Sequence, residues 1–289
     1  MKPAPFTYTT PSSVDEAVAL LVEHGETAKL LAGGQSLVPL MNFRLARPAH
    51  VIDLNRIAGL DYMRARDDVL AVGAMTRQRS LERSDVVRQQ YPLLAEAVTV
   101  IGHPATRNRG TVGGSIVHAD PAAELPALLL VYGGSVVVQS PSGTRQVPAD
   151  ELFLTYLTTT LEPTDIVTEV QFPRWPTGTG WCFLEESRRH GDFAVVGVAA
   201  LLTCDADGRC TRVSVVVFGV GGTPHLVSEA TDLLVGQRPD DDRIAAVAQA
   251  AAAGVEPEDD LHASAAFRRH LSAVLTRRAL HTAAERARA

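Results

Sequence analysis

The sequence predicts a mixed fold of helices and sheets in more than one domain, on three observations. Residues 6–54 alternate strand, helix and strand patterns, and residues 60–173 set short apolar strands among helical stretches. Pro173-Arg174-Trp175-Pro176-Thr177-Gly178-Thr179-Gly180 then interrupts the chain with the composition of a linker, ahead of two long strands and three helices. A chain of 289 residues can bury a substantial core in two or three domains.

Phe6-Thr7-Tyr8-Thr9-Thr10 reads as a short strand, and Pro11-Ser12-Ser13 as a turn and helix cap. Val14, Val18, Leu21 and Val22 recur at helical spacing as far as His24-Gly25, where the glycine suits a helix end. Leu30-Leu31 starts a second strand. Arg44-Leu45-Ala46-Arg47-Pro48 leads to a third, Val51-Ile52-Asp53-Leu54, completing a small β-α-β unit. Val69-Leu70-Ala71-Val72-Gly73 and Met75-Thr76 read as short strands, and Ser80 as a helix cap. Leu93, Leu94, Ala97 and Val98 share one face of a helix over about residues 91–100, ended by Ile101-Gly102-His103-Pro104. Residues 122–131 form a helix carrying Glu124; Pro126 fits only in a first turn, which moves the start a little later. Residues 135–139 and Pro141-Ser142-Gly143 open a hairpin, and residues 166–173 are the last strand before the linker. Beyond it, residues 194–203 and 212–219 are long strands joined by Asp205-Ala206-Asp207-Gly208, so that Cys204 and Cys210 face one another across a hairpin. Helices over residues 228–235, 244–253 and 265–287 complete the chain.

Two glycine pairs carry the chemistry. Ala32-Gly33-Gly34-Gln35-Ser36-Leu37 follows the second strand, and Thr111-Val112-Gly113-Gly114-Ser115 follows Arg107-Asn108-Arg109-Gly110. Glycine lets backbone N–H groups turn toward a ligand with no Cβ in the way. Either pair alone is more often a plain turn than a phosphate site, but two anion cradles in one chain suggest a pyrophosphate gripped from both sides, hence a dinucleotide. Neither pair extends to G-x-G-x-x-G, and Gly219-Val220-Gly221 has Pro224 where the third glycine would fall, which disfavours a Rossmann site.

The formal net charge of -6 gives no reason to expect nucleic acid or an anionic membrane as partner. Met1-Lys2-Pro3-Ala4-Pro5-Phe6 lacks the basic start and apolar core of a signal peptide. The longest apolar candidate, residues 127–138, is broken by Gly133-Gly134 and is too short for a membrane span, so a cytoplasmic protein is expected. Three cysteines cannot supply the four thiolates of an iron–sulfur cluster, and no histidine spacing suggests a metal. His103 and His118 read as structural hydrogen-bonders and Asp120 as a cap for the following helix. Arg107 and Arg109 are held evenly between neutralising phosphate and pairing with a partner subunit.

Read together, AGGQSLVPLMNFRLARP (residues 32–48), IGHPATRNRGTVGGSIVHADPAAELPALL (residues 101–129), RHGDFAVVGVAA (residues 189–200) and SAAFRRHLSAVLTRRAL near the end resemble the FAD-binding medium subunit of the molybdenum hydroxylases, the xanthine dehydrogenase and aerobic carbon monoxide dehydrogenase family. The resemblance runs nearly end to end. It implies an α+β fold: an FAD-binding domain of the PCMH type over residues 1–175, with subdomains of about 1–57 and 58–175, and a C-terminal domain over 176–289 with a three-stranded sheet and helices. Residue by residue, it implies that Ala32, Gly33, Gly34, Gln35, Ser36 and Leu37, with Thr111, Val112, Gly113, Gly114 and Ser115, hold the pyrophosphate of FAD through amides and hydroxyls. Gly114→Val is then expected to set a side chain against the diphosphate and to give colourless protein. Ile101 and Val167 match apolar positions against the flavin or adenine, and Glu124 a carboxylate for the nucleotide part. Asp192-Phe193-Ala194 stands where Asp-Tyr-Ala is frequent, which keeps a ring for stacking and loses the phenol. Leu184 aligns where some relatives carry a lysine that reaches the cofactor.

No catalytic side chain and no metal ligand is expected on this chain. The implied function is an electron relay: FAD here passes electrons from two [2Fe-2S] clusters on a small subunit to an external acceptor, while the molybdenum cofactor works on a large subunit. The implied assembly is a dimer of heterotrimers. Gln35, in place of the histidine of some carbon monoxide enzymes, leans the substrate toward an N-heterocycle or related compound, with carbon monoxide as the alternative. The rival readings are a free-standing FAD-dependent reductase or oxidase of the same fold, and an assembly scaffold without flavin.

Overall fold

The computed structural model describes residues 1–287. The chain begins with β1 (Thr7–Thr9), α1 (Val14–His24), β2 (Ala28–Leu31), α2 (Leu37–Asn42) and β3 (His50–Asp53), whose strands form a parallel sheet in the order β1-β3-β2. Ser13 caps α1 by accepting the Glu16 N–H, and the Glu16 carboxylate accepts the Ser12 N–H at 2.7 Å, a reciprocal arrangement that fixes where the helix starts. Ala17, Val18 and Leu21 bury the inner face of α1 with Ile52 and Leu54, whereas Val22, which the spacing had grouped with them, is exposed.

The middle of the chain runs through β4 (Met63–Arg66), β5 (Val69–Gly73), α3 (Gln78–Arg83), α4 (Asp85–Gln90), α5 (Pro92–Val98), α6 (Pro104–Arg109), α7 (Val112–His118) and α8 (Glu124–Tyr132). It continues with β6 (Ser135–Ser140), β7 (Gly143–Pro148), α9 (Ala149–Leu152), the small ribbon β8 (Phe153–Thr155) and β9 (Thr158–Thr159), and β10 (Ile166–Pro173). Five strands form an antiparallel sheet in the order β4-β5-β10-β6-β7. Several local expectations change here. Met75-Thr76 is a turn rather than a strand, because the Thr76 N–H closes back on the Gly73 carbonyl at 2.9 Å. Ser80 lies inside α3 and caps nothing; Ser84 caps α4 by accepting the Val87 N–H. Asp120 accepts the Ala122 N–H in the turn before α8, whose N-cap is Ala123, so it shapes the approach and does not cap the helix. Pro126 falls in the first turn of α8, as its ring requires.

The third part comprises β11 (Gly180–Glu186), β12 (Val196–Cys204), β13 (Cys210–Phe218), β14 (His225–Leu226), α10 (Glu229–Leu234), α11 (Asp241–Ala253) and α12 (Ala265–Arg286). Its antiparallel sheet has four strands, β11-β12-β13-β14, instead of the expected three; the added edge strand is two residues long, too short for an alternation to show in sequence. Cys204 and Cys210 lie opposite one another, as the hairpin predicts.

The core follows from strand periodicity. Ala199, Leu201, Val216 and Phe218 turn toward α8, while Val198, Ala200, Val215 and Val217 turn toward Leu275, Ala279 and Ala283 of α12. Helix α8 is therefore buried on every side between the middle and C-terminal sheets, which is why all nine of its residues are inaccessible and mostly apolar. The stretch read as a linker is stitched down: Trp175 is buried, its indole N–H donates to the Tyr132 carbonyl at 3.4 Å, and the Arg212 guanidinium lies 3.9 Å above its ring. Among the described residues no helix is long and apolar enough to cross a membrane, and no cluster of side chains could hold a metal ion.

Candidate functional site

Both glycine segments open onto one cleft of about 590 Å³. The first leaves the end of β2 and turns at Gly34, whose φ of +74° is the left-handed conformation that glycine tolerates without strain. The turn then enters α2, with the Val38 N–H donating to the Gly34 carbonyl at 3.2 Å. Among the described residues, the amide N–H groups of Gly34, Gln35, Ser36 and Leu37 have no protein acceptor, and the Ser36 hydroxyl makes no capping bond. Four successive unbonded donors beside a short helix start suit an anion.

The second segment is not a loop. Thr111 is the N-cap of α7, and Val112, Gly113 and Gly114 form its first turn. Its amides are occupied: Val112 donates to the Thr76 carbonyl, Gly113 to the Ala74 carbonyl, Gly114 to the Thr111 hydroxyl and Ser115 to the Thr111 carbonyl. A Cβ on Gly113 would stand 2.6 Å from the Ala74 Cβ, so this glycine permits close packing against the end of β5. A Cβ on Gly114 would stand 2.6 Å from the Thr111 hydroxyl and 3.4 Å from the Ala32 Cβ, so the first neighbour a side chain there meets is the helix cap.

The two segments touch. A Cβ on Gly33 would come within 2.4 Å of the Arg109 carbonyl oxygen and 2.8 Å of the Gly110 Cα. A polar latch reinforces that contact: the Asn55 amide donates to the Ala32 carbonyl at 2.9 Å, and the Arg77 guanidinium donates to the Asn55 side-chain oxygen and to the Arg109 carbonyl, each at 2.5 Å. No local sequence pattern marks Arg77 or Asn55.

Of the sixteen residues predicted to form the site, all but Val112 line this cleft; Val112 is fully buried behind it. Ile101 and Val167 supply apolar wall, and Asp192 with Phe193, 60% exposed, stands at the mouth. Leu184 packs instead with the core on the α11–α12 side of the C-terminal sheet. Glu124 is 5% exposed, and its pKa is pushed up to about 8 by burial first and then by the charge of Glu185, which burial raises to about 7. Near neutral pH the Glu124 carboxyl therefore holds a proton, and it can donate as well as accept a hydrogen bond.

Arg107 is neither a phosphate contact nor a surface residue for a partner. It is buried, its Nε donates to the Glu82 carboxylate at 2.8 Å, and its Nη1 donates to the Ile101 carbonyl at 2.9 Å, which fixes the cleft wall. Arg109 is exposed and enters the site through its carbonyl. His103 stacks parallel to His190 with ring centroids 6.1 Å apart and packs on Gly191, while His118 lies on the cleft wall. Leu157 also lines the cleft, in a left-handed conformation with φ of +53°, and donates its N–H to the carbonyl of Ala119, itself at φ +51°. No sequence signal marks that pair, since neither residue type favours such a conformation.

Residues 4–175 match the model of the FAD binding domain in molybdopterin dehydrogenase, and residues 181–283 match the CO dehydrogenase flavoprotein C-terminal domain. The chain is 43% identical over 288 residues to the 6-hydroxypseudooxynicotine dehydrogenase complex subunit alpha of Paenarthrobacter nicotinovorans, covering 100% of this chain and 97% of that one. It is 38% identical over 283 residues to the carbon monoxide dehydrogenase medium chain of Hydrogenophaga pseudoflava, covering 98% of each. The solved structure of carbon monoxide dehydrogenase from Hydrogenophaga pseudoflava that lacks the Mo-pyranopterin moiety of the molybdenum cofactor superposes with a TM-score of 0.97 at 39% identity, covering 99% of both chains. The chain belongs to the FAD-binding medium subunits of the molybdopterin dehydrogenases, the carbon monoxide dehydrogenase and xanthine dehydrogenase family, and is an oxidoreductase subunit of a multi-subunit molybdenum-containing dehydrogenase.

Proposed function

We propose that this chain holds FAD in the cleft between its two glycine segments and serves as the electron-transfer subunit of a heterotrimeric molybdenum hydroxylase. The observation that carries this reading is the pair of facing segments, one of which presents four amide donors with no protein acceptor among the described residues. Those amides, at Gly34, Gln35, Ser36 and Leu37, would hold the diphosphate together with the Ser36 and Ser115 hydroxyls, while Ala32, Gly33, Thr111, Gly113 and Gly114 bring backbone close enough to exclude water. Glu124, protonated near neutrality, would bond the nucleotide part. Ile101 and Val167 would lie against the ring systems, and Phe193 would cover one flavin face with Asp192 beside it. Val112 belongs to the packing behind the site rather than to the contact.

When bound, FAD supplies a store of electrons between the [2Fe-2S] clusters of a small subunit and an external acceptor, with the molybdenum cofactor on a large subunit and two heterotrimers per assembly. This chain's side chains transfer no proton to substrate; they bind, orient and seal. Gln35 and the relative named for a nicotine-derived substrate favour an N-heterocycle or related compound over carbon monoxide as the molecule hydroxylated by the partner.

Purification of the full chain gives the test. One FAD per chain in the absorption spectrum, with no more than incidental diaphorase activity until iron–sulfur and molybdenum subunits are added, is the expected result. Substrate turnover by the isolated chain would make it a free-standing flavoenzyme, and a colourless, folded chain that takes up no FAD would make it a scaffold.

A further inference from the structure

The far end of the β12–β13 hairpin sets two thiols side by side. Cys204 and Cys210 are register partners, and both pack into the core shared with Leu234 of α10 and Val247 of α11, Cys210 fully buried and Cys204 half-buried. Cys210 donates its N–H to the Gln237 carbonyl and accepts the Gly236 N–H with its own carbonyl, each at 2.7 Å, so its backbone bonds run away from Cys204. The neighbouring rung is bonded instead, with the Asp205 N–H donating to the Arg209 carbonyl at 2.9 Å. Cys204 and Cys210 are therefore a non-hydrogen-bonded antiparallel pair, whose Cα atoms stand about 4.5 Å apart. That lies inside the range of roughly 4.4–6.8 Å that a disulfide spans.

The hairpin holds the pair in register. Asp205 Oδ1 accepts the N–H groups of Asp207 and Arg209 at 3.0 and 2.8 Å, and Gly208 turns the chain at a φ of +73°. Thr211 bulges out of the ladder beside Cys210, and its hydroxyl donates to the Thr203 carbonyl at 3.2 Å. Cys182 is out of reach: it pairs with Ala200, four positions along β12 from Cys204, a separation of about 13 Å along the strand.

We infer that Cys204 and Cys210 are a reversible oxidation site, closed by hydrogen peroxide into a cross-strand disulfide and reopened by a dithiol. Burial, and then the Cys204 thiol beside it, push the Cys210 thiol up to about 12, so peroxide meets the half-buried Cys204 first. One peroxide oxygen passes to the Cys204 sulfur, which becomes a sulfenic acid as the first water leaves. The Cys210 sulfur then attacks that sulfur: the S–S bond forms, the S–O bond breaks, and the hydroxyl departs with the Cys210 proton as a second water. Two thiols give up two electrons and one peroxide takes them. Fixed proximity offsets the small thiolate fraction of Cys210. Closure gives up the bond from the Cys210 thiol to the Arg212 carbonyl at 3.5 Å and staples the hairpin end on which the residue 236–237 segment is bonded.

The test treats the reduced full chain with hydrogen peroxide under native conditions, then titrates its thiols after denaturation. Of the three thiols only that of Cys182 should remain, and dithiothreitol should restore all three. Arg209 lies between the pair, so trypsin should release residues 190–209 joined by a disulfide to Cys210-Thr211-Arg212. The thermal midpoint of the oxidised chain should exceed that of the reduced chain by about 4 °C. Cys182→Ser should yield the same linked peptides, whereas Cys204→Ser should keep both of its thiols and show no shift. Three thiols surviving in the natural chain, a sulfinic acid at Cys204 with Cys210 untouched, or a disulfide joining two chains through Cys204 would each overturn the inference.

Discussion

The two glycine segments look alike in sequence and use their backbones in opposite ways. In the first, the amides of Gly34 through Leu37 have no acceptor among the described residues, and the Ser36 hydroxyl makes no capping bond. In the second, every amide from Val112 to Ser115 is held by protein, and the glycines are there because Ala74 and the Thr111 hydroxyl leave no room for a Cβ. One is an open cradle and the other a rigid backstop, joined where Gly33 rests on the Arg109-Gly110 backbone. A Gly-Gly pair thus has two physical meanings, donors turned outward or backbone packed inward, and only the neighbours decide which.

The joint between cradle and backstop should be the most sensitive point. Gly33→Ala forces a methyl to within 2.4 Å of a backbone carbonyl oxygen that the Arg77 latch holds in place. The expected result is a loss of about 3 kcal/mol in urea unfolding, with flavin content falling to near zero because the two walls separate. Retention of full flavin in a stable Gly33→Ala protein would mean that the contact between the segments does not shape the site.

Next in size is an effect of pH on the backstop side of the cleft. The Glu124 carboxyl has an ordinary pKa of 4.5 when unfolded and about 8 when folded, raised by burial and by Glu185. Between those values the native state binds the proton and the unfolded state has lost it, so stability is full below about pH 4.5 and declines as pH rises toward 8. Glu124→Gln, which is neutral throughout, should flatten the fall of the thermal midpoint across that window. The residual slope would come from Glu185, raised to about 7. An unchanged slope in Glu124→Gln would show that the carboxyl is ionised in the native protein.

These contacts also show what sequence can carry. Helices α1, α5, α11 and α12 and the β12–β13 hairpin are legible because their signals are local: apolar spacing, caps and a turn of the right composition. The α+β class and the family follow from ordered motifs along the whole chain. The cleft-lining residues are legible as residues, but their division of labour is not. It depends on Ala74 meeting Gly113 and on Arg109 meeting Gly33, approaches between segments far apart in the chain. The structural role of Arg107 is not legible, because its partner, Glu82, lies 25 residues earlier with no spacing to reveal it. The left-handed Ala119 and Leu157 are hidden for the opposite reason, since their residue types argue against that conformation.

A smaller effect separates packing from binding within the backstop. Gly113→Ala sets a methyl 2.6 Å from the Ala74 Cβ and 2.8 Å from its carbonyl oxygen, without facing the amides of the first segment. It should lower stability by about 2 kcal/mol. Flavin occupancy at saturating FAD should survive. If flavin were lost with no loss of stability, the second segment would be acting as a cradle after all.

The finest discrimination comes from the cap at Thr111. Its hydroxyl accepts the Gly114 N–H at 3.1 Å, so Thr111→Ala leaves that amide unbonded and should reduce stability by about 1 kcal/mol, while Thr111→Ser keeps the oxygen and most of the stability. Gly114 lines the cleft, so a diphosphate bound there is the expected acceptor for the freed proton. FAD bound to Thr111→Ala should therefore restore part of the lost thermal midpoint, more than it adds to Thr111→Ser, because the ligand supplies the acceptor that the cap no longer provides. Equal shifts in the two variants would place the diphosphate out of reach of α7 and leave the cradle at residues 34–37 to hold it alone.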